Sequence, residues 1–385
     1  MTNDKKCDVY VGEIREYDVK KITAALRAAF EATGIDLLRY AGKKVVIKPN
    51  LVMKKSPDGA ATTHPAVIDA LLTLTDEAGI SAVIAESPGG VYSAQRLESI
   101  YRVCGMTAAA GGHDCTLNTD VSFKKMTFEG GRATKAFDII TPIAEADVVI
   151  DVCKLKSHSL TKMSAALKNF FGTVPGIEKF ELHAAHPEVS DFTAMLCDLA
   201  QMIVKEKETV CITDGIVGME GEGPTGGTPR EIGALIVSRD PFMSDAVSAD
   251  ILGFGEGSVP LLAEALRRGL LPPRENITVG GDGTNALRVS GFVLPRSQNI
   301  STLKFFSEGA LGKIFMPRPK ITKSCRACGE CAAACPQKTI RIENGRARID
   351  RKRCIRCYCC QELCPFTAIK THRNPIIYAI SKIGT

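Results

Sequence analysis

Cys325, Cys328, Cys331 and Cys335, closed by Pro336, are spaced C-x2-C-x2-C-x3-C-P, and Cys354, Cys357, Cys360 and Cys364, closed by Pro365, repeat that spacing 29 residues later. This run wraps a [4Fe-4S] cube, and two copies imply two cubes. Three closely spaced cysteines reach three iron corners from one loop, whereas the fourth points away and ligates the other cube. Cube I is expected on Cys325, Cys328, Cys331 and Cys364, and cube II on Cys354, Cys357, Cys360 and Cys335. Each run then needs its twin. Zinc or disulfides are the alternatives, but zinc sites are usually built from separate ligand pairs rather than overlapping triplets followed by proline. Cys359 falls between two expected ligands and reads as a bystander thiol that could replace a neighbour.

Upstream, the residues able to do chemistry stand directly after apolar runs. They are Lys48-Pro49-Asn50, Glu86-Ser87-Pro88-Gly89-Gly90, Lys154-Leu155-Lys156-Ser157-His158 and Asp214-Gly215. A helix starting near Ser159 or Thr161 would set its free N–H groups beside Lys154, Lys156 and His158, forming a pocket for a carboxylate or phosphate. Lys168 and Asn169 could line the same wall, although Lys168 also reads as a solvated helix residue. Lys48 and Asn50 complete the expected substrate contacts. His158, the residue type that titrates near neutrality, and Lys156 are the candidates for proton transfer, while a lone histidine is more often structural. Gly221-Glu222-Gly223-Pro224-Thr225-Gly226 matches G-x-G-x-x-G only as text, because it holds a proline and leads into a strand-like run. It is expected to be a mobile lid or substrate loop, not a nicotinamide site. Asp214, Glu220 and Glu222 could bind a metal but read first as solvated loop carboxylates. No G-x-S-x-G elbow and no P-loop occurs, which argues against hydrolase and NTP-driven chemistry.

To bring these residues together the chain needs an α/β fold with a mostly parallel sheet and covering helices, because ligands of open parallel sheets sit at the carboxyl ends of the strands. Buried-strand runs are expected at Val45 to Lys48, Ala82 to Glu86, Val148 to Val152, Val210 to Thr213, Ala234 to Val237 and Ile277 to Val279. Between the first two, Thr63 is expected to cap a helix with Pro65 in its first turn, Val67, Leu71, Leu74 and Ala78 on one face, and Gly79 as its stop. Phe123 to Ile143, with Glu129-Gly130-Gly131 between alternating runs, predicts a hairpin inserted in this scheme. The expected division is residues 1–300 for the α/β domain, 301–320 for a linker, 321–373 for a small α+β ferredoxin-like domain and 374–385 for a tail, expected to dock as a short helix from Pro375.

The 385 residues are 45% apolar, enough for one large and one small domain. The remaining cysteines, Cys7, Cys104, Cys115, Cys153, Cys197 and Cys211, have no metal spacing and read as reduced packing thiols. The first residues are polar rather than signal-like, and no apolar run reaches the roughly 18 residues of a membrane helix, so a cytoplasmic protein without a membrane span is expected, in a reducing, largely anaerobic setting. The net charge of +6 hides an asymmetry: residues 318–385 carry 15 Lys and Arg against 4 Asp and Glu. Two cubes would add roughly −4, so much of this surplus compensates the clusters. Arg326, Arg353 and Arg356 should raise the cluster potentials. Nucleic-acid binding is disfavoured because the basic residues lack interleaved aromatics and the chain has no tryptophan.

The cysteine segment, about residues 321–373, resembles bacterial two-cluster ferredoxins. The Lys48-Pro49-Asn50, Thr63-His64-Pro65, Glu86-Ser87-Pro-Gly, Lys156-x-His158, Ala166-Leu167-Lys168-Asn169-x-x-Gly172 and Asp214-Gly215 segments together resemble a bacterial and archaeal family designated domain of unknown function 362, whose members often carry a C-terminal ferredoxin pair. That resemblance implies the two-domain architecture and no particular activity. A fainter likeness of pattern is to lactate-racemase-type proteins. Three functions are consistent with these features. One is an oxidoreductase passing electrons through two [4Fe-4S] clusters, from a redox partner protein, to an anionic small molecule or an organic cofactor of unknown identity. The others are a non-catalytic electron-transfer or assembly partner, and an isomerase or lyase with structural clusters.

Overall fold

The computed structural model describes residues 7–176, 178–297 and 317–372. The large unit is built on β1 (Val9–Glu13), β2 (Val45–Pro49), β3 (Ala82–Ile84), β4 (Cys115–Leu117), β7 (Val148–His158), β8 (Lys162–Ser164), β9 (Glu208–Glu220), β10 (Thr228–Ser238) and β11 (Val279–Gly281). Their order is β11-β1-β10-β9-β7-β2-β3-β4, with β8 paired to β7. β4, β3, β2, β7 and β9 pair in parallel, β10 runs antiparallel between β9 and β1, and β11 is parallel to β1. The sheet is therefore mostly parallel.

Both faces of the sheet are buried, which is why the strands read as continuous apolar runs rather than alternating ones. Val45, Ile47, Val148, Ile150 and Val152 face one apolar cluster with Ile22 and Leu26 of helix Val19–Thr33, Val67 and Leu71 of helix Pro65–Glu77, and Leu97 of helix Ala94–Val103. Val46, Val149, Cys153 and Leu155 face the opposite cluster, against Phe192 and Leu196 of helix Val189–Glu206 and Val247 of helix Pro241–Ile251. The two-residue period thus sends Lys48 and Asp151 to one side of the sheet and Lys154 and Lys156 to the other.

Several local expectations are revised. The cap of helix Pro65–Glu77 is His64, whose Nδ1 accepts from the Ala66 N–H, whereas Thr63 donates to the Val152 carbonyl at 2.6 Å and accepts from the Asn50 N–H at 2.8 Å. Thr63 is a buckle between β2 and β7. Gly79, at φ 68°, ends that helix as expected. β7 runs six residues beyond its expected end, because β8 folds back on it with Lys156 opposite Ser164 and His158 opposite Lys162. No helix begins near Ser159 or Thr161. The Leu160 and Thr161 N–H groups are donated to His158 Nδ1, and the first helical turn, Ala166–Asn169, is capped by the Asp245 carboxylate. β9 likewise runs past Asp214, which is a buried strand residue and not a loop residue.

The glycine-rich segment 221–226 joins β9 to β10 and is tied down, not a loose lid. Ser157 and Ser159 hydroxyls donate to the Gly221 and Gly223 carbonyls, both at 3.0 Å, and Thr225 donates to the Glu362 carbonyl at 2.8 Å. The expected hairpin forms as β5 (Phe123–Thr127) and β6 (Ala136–Ile140), paired antiparallel. The strand expected at Ile277 to Val279 begins at Val279 instead.

The small unit pairs β12 (Arg318–Ile321) with β15 (Ile369–His372) and β13 (Ile340–Glu343) with β14 (Arg346–Ile349). β12 starts inside the stretch expected as linker; Pro319 is tolerated there because β12 has a single neighbour. Most of the linker, and the tail 374–385, lie outside the described residues. No helix among the described residues is long and apolar enough to cross a membrane.

Candidate active site and cluster cavities

The cysteine repeat is a repeat of backbone shape. Ala327, Gly329 and Lys338 have positive φ of 53°, 85° and 48°, and 29 residues later Arg356, Tyr358 and Thr367 have 60°, 61° and 46°. Left-handed residues at matched places curl each run around a hollow. One hollow is lined by Cys325, Cys328, Cys331 and Cys364; the other by Cys335, Cys354, Cys357 and Cys360. These are the two expected ligand sets, each with its fourth cysteine from the opposite run. The Thr339 N–H points at Cys335 Sγ at 3.3 Å and the Ala368 N–H at Cys364 Sγ at 3.2 Å, again 29 residues apart, as suits sulfurs that carry negative charge. Among the described residues no three His, Cys, Asp or Glu side chains close on a point fit for one metal ion. Sulfurs spread around a hollow suit the corners of a cube, whereas zinc would draw four of them to within about 2.3 Å of one centre.

Cys359 lies in neither hollow. It is buried in a small cluster with Phe180, Ala334 and Leu363, against which Cys357 packs. This is where the cysteine unit meets the large unit, together with Arg96 to Glu330 at 3.4 Å and Thr225 to the Glu362 carbonyl.

Between the two units lies a cavity with about 80 Å³ of room for solvent. Asn50, Glu86 and Lys156 line it from the strand ends, Lys168 and Asn169 from the helical turn Ala166–Asn169, Lys179 and His183 from helix Glu178–Ala185, and Cys359, Glu362 and Leu363 from the cysteine unit. Four of the expected substrate or catalytic residues, Asn50, Lys156, Lys168 and Asn169, therefore share one wall. Lys48 lies behind it, ion-paired to Glu86 at 2.6 Å with both side chains buried. Burial pushes the Glu86 carboxyl up, against the pull of Lys48 and Lys179. Gly172 makes this packing possible, since a Cβ there would meet Glu86 Oε1 at 2.1 Å and Lys48 Nζ at 2.6 Å.

A hydrogen-bond chain crosses the wall. Lys156 Nζ donates to Asn50 Oδ1 at 2.5 Å, Asn50 Nδ2 to Asn169 Oδ1 at 2.8 Å, and Asn169 Nδ2 to Asp151 Oδ1 at 2.8 Å. Its ends are perturbed in opposite senses by the same cause. Burial lowers the Lys156 ammonium to about 7, with Lys168 adding repulsion, and raises the Asp151 carboxyl to about 7 against the pull of Lys48. Asp151 Oδ2 has no hydrogen-bond partner among the described residues. Lys168 makes no hydrogen bond or ion pair with any described residue; its ammonium sits 5.7 Å from the Phe171 ring centre, and burial lowers its pKa.

His158 Nδ1 accepts two backbone N–H groups, so the ring is neutral with its proton on Nε2, in keeping with burial lowering its pKa to about 4. Nε2 stands 3.1 Å from Glu362 Oε1, yet out of hydrogen-bond alignment, and both atoms lack a hydrogen-bond partner among the described residues. Burial alone would raise the Glu362 carboxyl, but nearby His158, Lys168 and His183 bring it to about 2. With the histidine neutral, Lys168 is the cation that faces this carboxylate. His158 thus joins the two units rather than facing the cavity.

Lys154 is not part of the expected anion pocket. Its Nζ donates to Asp214 Oδ2 at 2.9 Å and to Tyr17 OH at 2.7 Å, and Tyr17 stacks on His64 with ring centres 3.5 Å apart. The irregular register between Lys154 and Lys156 carries it away. Sequence reasoning missed Lys179, His183 and Glu362. Lys179 donates to the Val174 and Ser87 carbonyls at 2.5 and 2.6 Å, and His183 stacks on Phe192 at 4.2 Å. The first two sit on a helix of ordinary composition and the third between cluster ligands, so no spacing marks them.

Residues 45–250 match the family described as a domain of unknown function (DUF362), and residues 319–365 match the 4Fe-4S dicluster domain. The chain is 32% identical over 289 residues to a thylakoid-associated protein of Synechocystis, covering 73% of this chain and 85% of that protein. Its C-terminal part is 39% identical over 61 residues to a ferredoxin of Pyrobaculum islandicum, 16% of this chain and 57% of the ferredoxin. Among solved structures, the lactate racemase apoprotein of Thermoanaerobacterium thermosaccharolyticum aligns with a TM-score of 0.34 at 13% identity, over 55% of this chain and 52% of that one. The chain belongs to the DUF362 family and carries a 4Fe-4S dicluster domain after it.

Proposed function

We propose that this protein is an iron-sulfur oxidoreductase that reduces a small anionic substrate in the cavity between its two units. The observation that carries this reading is the composition of that cavity: Lys156 from strand β7 and Lys168 from the helical turn Ala166–Asn169 share it with Cys359, Glu362 and Leu363, which come from the same segment as the cluster ligands. Two [4Fe-4S] clusters, held by the two cysteine sets, would supply single electrons from a reduced partner protein at that wall. Lys168 holds the anion, because its ammonium, with no hydrogen bond or ion pair to a described residue, gains from a carboxylate or phosphate in a largely buried wall. Asn50 and Asn169 fix its orientation. Lys156, whose ammonium gives up its proton near neutrality, donates the proton that accompanies reduction. The Asn50, Asn169 and Asp151 chain keeps Lys156 in place.

The test is a redox titration of anaerobically reconstituted protein, followed by electron paramagnetic resonance, with acetate, malonate and phosphate added in turn. Two one-electron cluster reductions are expected, with one shifted by an anion that Lys168→Met no longer binds. Two normal reductions untouched by any anion would refute the coupling and favour a protein that only relays electrons.

A further inference from the structure

We propose that Lys156 also acts as a nucleophile, its amine condensing with the carbonyl carbon of a short oxo acid to form an imine in the cavity. The step goes beyond the redox reading above, and rests on it in placing the acid's carboxylate at Lys168. The Lys156 nitrogen forms the C–N bond, the C=O bond breaks, and the oxygen leaves as water with the two amine hydrogens. No electron is exchanged. The ammonium form of Lys156 remains the proton donor of the redox reading, and the amine form is the one that condenses.

Hydrogen bonding separates Lys156 from the other buried lysines. An ammonium has three N–H groups and no lone pair, whereas an amine has two N–H groups and one lone pair. Lys179, on the same cavity, has three acceptors, the Ser87 and Val174 carbonyls and Ser87 Oγ at 3.1 Å. Lys48 and Lys154 each meet a carboxylate, Glu86 and Asp214 respectively. Those three sites fit an ammonium. Lys156 has two acceptors among the described residues, Asn50 Oδ1 at 2.5 Å and the Ala61 carbonyl at 2.8 Å, and both are neutral. Asn50 is held with its oxygen toward Lys156, because its Nδ2 donates to Asn169, which donates in turn to Asp151. With both N–H groups engaged, the lone pair of the amine is what Lys156 has left for the cavity it lines.

The charges around it favour that form. Burial and then Lys168 lower the Lys156 ammonium, Lys154 adds repulsion, and Glu362 and Cys153 pull the other way. Removal from water beside a second cation is how proteins make a lysine nucleophilic at neutral pH. Of these charges Lys168 acts most strongly on Lys156, so an acid whose carboxylate meets Lys168 presents its own carbonyl to the Lys156 nitrogen. The room of about 80 Å³ restricts that acid to a few carbon atoms.

The experiment is anaerobic trapping of the full, cluster-loaded chain with glyoxylate or pyruvate and cyanoborohydride, followed by peptide mapping in a mass spectrometer. The expected result is a reduced adduct at Lys156, enriched about tenfold or more over exposed lysines in the same digest. Acetaldehyde, which lacks the carboxylate, should lose that enrichment, and so should glyoxylate with Lys168→Met. Excess acetate should protect Lys156 in the unaltered chain, a measurement that stands even if the variant fails to load clusters. Adducts confined to exposed lysines or the terminal amine would overturn the proposal, as would equal enrichment at Lys156 with acetaldehyde. A cluster potential shifted by anions with no adduct at Lys156 sinks the imine and leaves the redox reading standing; an adduct at Lys156 with no shifted cluster does the reverse.

Discussion

Replacing Asp151 by Asn should stabilise the protein, and by an amount set by pH. The side chain is fully buried, one oxygen takes a hydrogen bond from Asn169, and the other has no partner among the described residues, so the ionised form gives up hydration for little return. Burial therefore raises its carboxyl from 3.8 to about 7 despite nearby Lys48. A carboxyl raised on folding binds its proton more tightly in the folded state, so stability is full at low pH and falls as pH rises from about 4 to about 7. At 1.36 kcal/mol per pKa unit the loss is about 2 kcal/mol at pH 5 and about 4 kcal/mol at pH 8. Asn keeps the acceptor that Asn169 needs and cannot ionise. Anaerobic urea unfolding of both proteins between pH 5 and 8 should show curves that diverge by about 2 kcal/mol across that range, the variant being the more stable. Parallel curves would mean that Asp151 ionises normally in the folded state, and the burial argument for both ends of the Lys156 to Asp151 chain would fail with it.

Gly172→Ala should cost about 2 kcal/mol, because its methyl group collides with the buried Lys48–Glu86 pair, and a thermal melt would show it. Lys168→Met should lower carboxylate affinity by calorimetry about tenfold or more. A variant that kept affinity would contradict the role given to Lys168. Cys359→Ser should retain about eight irons per chain, whereas Cys328→Ser should lose cube I and retain about four; iron analysis of anaerobic preparations distinguishes them.

The cysteine run was legible because its ligands are close in sequence. A few fixed φ values per repeat settle where the sulfurs go, and the 29-residue offset reappears in backbone angles and N–H to sulfur contacts. The parallel sheet was legible for a similar reason, since strands buried on both faces must be apolar throughout. The anion pocket was not. Its expected helix N-terminus gave way to the β7 and β8 hairpin, whose pairing lies in tertiary contacts with β9 and the 221–226 turn. A break in the β7–β9 register then separated Lys154 from Lys156, residues that look equivalent in sequence.

What the sequence by itself determined was the chemistry available: eight cysteines for two cubes, and lysines and amides at the ends of buried strands. Only the tertiary structure decided that these meet. Lys179, His183 and Glu362 acquire a role from position alone, and Lys156 and Asp151 depart from their ordinary pKa because packing removes water from both. Burial and contact across 100 or more residues are properties of the folded chain, and no local spacing encodes them.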